Sequence, residues 1–120
     1  MPANDSFPLV FEQLKTILKP YAKLLTVTID SSDGYSLDGP YSEKWKKHIF
    51  FGAAQIKKNY VSFYLMPVYM YPELARQISP ALKKHMQGKS CFNFKKAAPG
   101  LFKELAALAK AGYKRFAQEH

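Results

Sequence analysis

The chain has 120 residues, 48% hydrophobic and 15% aromatic, with 18 Lys plus Arg against 9 Asp plus Glu and a net charge of +9. That length suits one domain with a real core, and so much apolar side chain excludes a disordered tail or linker. The basic balance points to anionic partners, yet 16 of the 18 cations are lysines, hydrated point charges that specify less than the planar arginine fork and also serve to solvate a surface.

In chain order, the first element is a helix predicted over residues 7–20. Phe7, Val10, Phe11, Leu14, Ile17, Leu18 and Tyr21 recur at helical spacing, with Asp5 or Ser6 as cap, Pro8 near the start and Pro20 at the end. LLTVTID then alternates, placing Leu25, Val27 and Ile29 toward one side and Thr26 and Thr28 toward the other. The turn-rich SSDG and a short strand at Tyr35 to Leu37 complete a hairpin. HIFFGAAQI and YVSFYLMPVYM, joined by Lys57 to Asn59, read as a second hairpin with strands over 48–56 and 60–68, at the centre of the sheet. Pro67 falls where an edge or a bulge tolerates a missing N–H.

YPELARQI and SPALKKHMQG each open on a proline at a plausible first helical position and read as one broken helical segment that stops at Gly88. SCFNFKK alternates as a strand over 90–95. A helix over 99–117 aligns Leu101, Phe102, Leu105, Leu108, Ala109 and Phe116 on one stripe, with Lys110, Lys114 and Arg115 near the negative end of its dipole. These elements predict an α+β two-layer sandwich, an antiparallel sheet of about five strands covered by N- and C-terminal helices, in a single domain over residues 1–120. The opening MPANDSFPLV has neither a basic leader nor an apolar run of about 7–15 residues, and no later stretch approaches the ~20 apolar residues of a membrane span. A soluble, cytoplasmic protein without a membrane partner is expected. A lone cysteine, Cys91, agrees with a reducing compartment.

Gly88-Lys89-Ser90 invites comparison with a phosphate-gripping loop, which needs a strand, an upstream glycine and then a helix. Here a helix ends at Gly88, a strand follows, and Lys83 stands where the first glycine belongs. Gly88 reads as a helix stop. His48, His85 and His120 are far apart, with no i, i+4 partner to signal a metal site. Lys89 lies near enough to lower the Cys91 pKa, but no His or Asp pattern supplies a base, and a buried structural cysteine is the simpler reading. Asp30, Asp33 and Asp38 fall in a turn-rich stretch that suits turn chemistry. With no catalytic constellation, a non-enzyme is expected, without cofactor or metal.

The run from Tyr60 to Lys96, with YVSFYLMPVYM and then SPALKKHMQGKSCFNFKK, together with the closing LFKELAALAKAGY, resembles the YdhG-like family of small bacterial domains of unknown function. Its most specific pieces are the aromatic strand ending in Met66-Pro67 and the Gly88-Lys89-Ser90-Cys91 entry to the last strand. The resemblance covers the C-terminal half well and the N-terminal helix and hairpin loosely. It implies a compact α+β domain with helices over one face of an antiparallel sheet. One family member is proposed as a frataxin-like intracellular iron chaperone, so the resemblance also implies iron handling as an alternative. Iron calls for oxygen ligands, and helix one with its cap offers only Asp5 and Glu12.

The reading that follows is an uncharacterised, small, noncatalytic binding domain for a small anionic or planar ligand or a protein partner. Its pocket would be lined by Trp45, Tyr60, Tyr64 and Tyr69, with Lys89 and Lys95 nearby. Taken singly, each aromatic is more simply explained as core. Lys89 and Lys95, six positions apart, would share one face of an uninterrupted strand and Lys96 the other, a geometry that permits a two-lysine anion site. Single-stranded nucleic-acid binding is the second alternative, with bases stacked on sheet aromatics and lysines along the phosphates. Against it stand the two arginines and the missing Gly-aromatic-aromatic signature.

Overall fold

The computed structural model describes residues 7–44, 46–88 and 90–119. Helix α1 (Phe7–Leu18) continues through a 3-10 turn, Lys19–Tyr21, into strands β1 (Thr26–Asp30), β2 (Gly34–Ser42), β3 (Lys47–Ile56) and β4 (Val61–Leu65). Three short helices follow, α2 (Met66–Met70), α3 (Pro72–Ala75) and α4 (Pro80–Lys83), then β5 (Cys91–Phe94) and the long α5 (Pro99–Glu119). The five strands lie in sequence order and pair antiparallel throughout. The α+β architecture and the predicted element order are those of the molecule.

Periodicity explains how the layers meet. On α1, Phe7, Val10, Phe11, Leu14 and Leu18 occupy one face and are buried, while Leu105, Leu108, Ala109 and Phe116 do the same on α5. Both faces converge on Leu37, Phe51, Ala54, Phe63, Leu65, Phe92 and Phe94 of the sheet. Burying each large side chain contributes about 1.5–3 kcal/mol. Close approach matters where α5 crosses α2: a Cβ on Gly112 would sit 2.7 Å from the Pro67 Cβ, so only glycine lets those helices touch. Residues that alternate with the core set face away from the helices, and cross-strand pairing lines up Ile29, Ser36, Ala53, Tyr64 and Cys91 as one row on that face.

Three expectations are corrected. The predicted strand over 60–68 ends at Leu65, and Met66–Met70 is helical. Pro67 is the reason: without an N–H it cannot donate to the ladder, but at the first turn of a helix that donor has no role. The strand predicted at Tyr35 to Leu37 extends over Gly34–Ser42, its ladder shifting register after Leu37 and again after Asp38. In β1, Val27 pairs with Leu37 and Ile29 with Ser36, because a bulge at Thr28 interrupts the alternation. Val27 and Ile29 therefore point to opposite faces, and every residue of β1 is exposed.

Candidate functional site

Antiparallel register assembles a basic end of the sheet. Val61 pairs with Phe94, so the turn after β3, residues 57–60, lies beside the exit of β5 at Lys95 and Lys96. Between them opens a cavity of about 340 Å³ lined by Tyr60, His85, Asn93, Lys95, Lys96, Ala97 and Ala98. Among the described residues, no carboxylate lines it. The surrounding sequence reinforces the sign: from residue 44 to residue 118 there are fifteen Lys and Arg but only two carboxylates, Glu73 and Glu104. Both are engaged elsewhere. Glu73 pairs with Arg115, and Glu104 accepts from the Ser79 backbone N–H at 2.8 Å and from its hydroxyl at 2.7 Å.

Asn93 holds the wall of this cavity. Its side-chain Oδ1 accepts from the Ser62 hydroxyl at 2.7 Å and from the Cys91 thiol at 3.4 Å, and its Nδ2 donates to Gln87 Oε1 at 2.6 Å. Its backbone N–H donates to the His85 carbonyl at 2.8 Å. The Asn93 carbonyl lies 3.0 Å from His85 Nδ1. A carbonyl can only accept, so Nδ1 carries the proton and Nε2 of a neutral ring is left as an acceptor. The imidazole also stacks on Phe94, with ring centroids 4.6 Å apart. His85 is thereby held in one orientation at the cavity.

Cys91, two residues before Asn93 on the same strand and half-buried, belongs to this network. Burial pushes its thiol above the ordinary value, and hydrogen bonds with Ser62 and Tyr64 and the charge of Lys57 only partly oppose that. A thiol held in its neutral form is a poor nucleophile.

The six residues singled out in the sequence do not share one cavity. Tyr60 and Lys95 line the basic pocket together. Tyr69 stands 57% exposed between two others, of about 600 and 300 Å³. Tyr64 is half-buried on the helix-free face of the sheet, paired with Cys91. Trp45 and Lys89 lie outside the described residues, so the two-lysine geometry of Lys89 with Lys95 is not described either, and Lys95 follows the last residue of β5 rather than sitting within it. His85 and Asn93 were missed. The signal for Asn93 was the alternation in CFNF, which puts a polar residue opposite Ser62 on the face away from the core.

Among the described residues, no three His, Cys, Asp or Glu side chains gather as a metal site would require. Asp30 accepts from Lys15 at 3.3 Å, and Asp33 accepts from the Ser31 hydroxyl at 2.9 Å within its turn. Comparison of the chain with protein-family models, with curated proteins and with solved structures finds no match.

Proposed function

We propose that this domain is a noncatalytic binding module that takes a small planar anion in the pocket between Tyr60 and His85. One observation carries the reading: Tyr60, His85, Lys95 and Lys96 line a single cavity in which, among the described residues, there is no carboxylate. Aromatic and imidazole rings offer faces for a planar group, and the lysines offer charge-assisted hydrogen bonds to an anionic one. At about 340 Å³ the space suits a ligand of one or two rings. A reducing, cytoplasmic setting belongs to the proposal, because the only cysteine is a free thiol. So does kinship with the YdhG-like family, which the Tyr60–Lys96 stretch and the order of elements support.

The test is a calorimetric titration with phenyl phosphate, inorganic phosphate and phenol. Phenyl phosphate is expected to bind more tightly than either fragment. Replacing Lys95 and Lys96 together by Gln should weaken it about tenfold, with affinity falling as salt rises from low to physiological strength, since exposed charges are screened over ~8 Å there. Equal affinity for phenol and phenyl phosphate, or no effect of the double substitution, would overturn the proposal.

A further inference from the structure

A second, larger cavity than the planar-anion pocket lies elsewhere, and its origin is the cluster of prolines after β4. α2, α3 and α4 have prolines at positions 67, 72 and 80, each within the first two residues of its helix, and they run for only four or five residues. Helices this short cannot present a continuous ridge to their neighbours, and between them remains an open cleft of about 600 Å³. Its floor is apolar: Val68 and Ile78 are 1% and 4% exposed, and Ala75 and Met86 are half-buried. Two cations, Arg76 and Lys83, are exposed in the lining.

Among the described residues, no carboxylate in that lining balances these charges. Glu73 and Glu104, the only carboxylates between positions 44 and 118, are absent from the cleft, one bound to Arg115 and the other holding the start of α4 through Ser79. We propose that this cleft is a second ligand site, for an amphipathic anion: an aliphatic chain lying along Tyr69, Pro72, Ala75 and Met86, over the buried Val68 and Ile78, with its carboxylate toward Arg76 and Lys83. A free inorganic anion would leave the accessible apolar lining of Tyr69, Pro72, Ala75 and Met86 wet, and a neutral chain would leave both cations facing water alone, so the lining is complementary to the two features joined. The site is distinct from the planar-anion pocket, although the two share a wall. Lys83 and Met86 line the cleft, whereas His85, between them in sequence, lines the other pocket.

The experiment uses octanoate, octanol and octyltrimethylammonium as probes, followed by methyl and amide NMR shifts of the full chain. Octanoate is expected to shift Val68, Ile78 and Met86 and to bind about tenfold more tightly than octanol, with the cationic probe weakest. Arg76→Gln with Lys83→Gln should abolish the preference for octanoate while leaving octanol binding in place. Ala75→Glu, at a half-buried position of the lining, should suppress octanoate without unfolding the domain. Lys95→Gln with Lys96→Gln should leave octanoate binding unchanged, which separates this site from the planar-anion reading. Equal binding of octanoate and octanol, indifference to the Arg76 and Lys83 substitutions, or octanoate shifts confined to Tyr60 and His85 would each overturn the assignment.

Discussion

The two edges of the sheet are finished in different ways. At β5 the chain folds back on itself: the Gln87 N–H donates to the Cys91 carbonyl at 2.9 Å, the Asn93 N–H to the His85 carbonyl at 2.8 Å, and Met86 forms a bridge with Phe92. At β1 the outer side has no strand beside it among the described residues, all five residues are exposed, and the bulge at Thr28 with Asp30 at the end interrupts the edge. The difference follows from the chain after β4, whose prolines at 67, 72 and 80 break residues 66–83 into short helices and leave residues 85–87 to pair with β5. That segment caps one edge with irregular polypeptide, and irregular packing leaves space. Both proposed sites lie on that side.

The comparison can be broken most forcefully in the core that both edges share. Phe63 of β4 is fully buried against the helices, and Phe63→Ala should cost about 3–5 kcal/mol, read from urea unfolding with an unchanged slope. The same truncation at β1, Val27→Ala, should cost well under that, because Val27 keeps 40% of its surface in water. Equal losses would mean that the β1 edge is covered in solution.

On the capped side, two substitutions probe how the irregular segment is held. Gly112→Ala drives a Cβ to 2.7 Å from the Pro67 Cβ, and relieving that clash should cost about 1–3 kcal/mol by pushing α5 from α2. Thermal unfolding measures it. Asn93→Ala should cost about 1–3 kcal/mol, since the buried Ser62 hydroxyl loses its acceptor at 2.7 Å and Gln87 loses its donor. Hydrogen exchange at Gln87 is the sharper measurement and should accelerate in that variant.

These are also the places where the sequence was least legible. Helical stripes on α1 and α5 and the alternation of β3 were readable because burial imposes periods of 3.6 and 2. Met66, Pro67 and Val68, the start of α2, were misread as the end of a strand because Val and Met suit a β run as well as a short helix, and only the position of Pro67 distinguishes them. The pocket was half legible. Tyr60 and Lys95 stood out as an aromatic and a cation, but their meeting with His85 depends on the register of β4 against β5 and on a bridge from Met86, neither of which has a local signature. In β1, a single bulge at Thr28 was enough to send Ile29 to the other face.

A smaller effect is expected at alkaline pH. Burial raises the Cys91 thiol above its ordinary value, so the folded chain holds that proton more firmly than the unfolded one. The corresponding stability is fully present below the unfolded thiol's pKa and is lost as pH rises through the folded value. Unfolding free energy should therefore decline through the alkaline range, and less so in Cys91→Ala after its own packing loss is subtracted. Alkylation by iodoacetamide at neutral pH should be slower in the native protein than in urea. A native thiol that reacts as fast as the unfolded one would contradict the raised pKa.

The smallest effect belongs to the open edge. Ile29 sits in the cross-strand row with Ser36, Ala53 and Tyr64, on the face that no helix covers, and it is 43% exposed. Replacing it by Lys removes part of an apolar surface that water already reaches and adds a charge with room to extend into solvent. Stability should then change by no more than about 0.5 kcal/mol, the usual range for a surface position. The edge position also makes added charge harmless to pairing, since lysine there discourages strand addition by another chain. A loss several times larger would require Ile29 to be buried in the folded protein in solution, as it would be beneath a second polypeptide lying on this face. Sedimentation of the variant beside the parent chain distinguishes the two outcomes, because a surface residue leaves the mass unchanged whereas an interface residue lowers it.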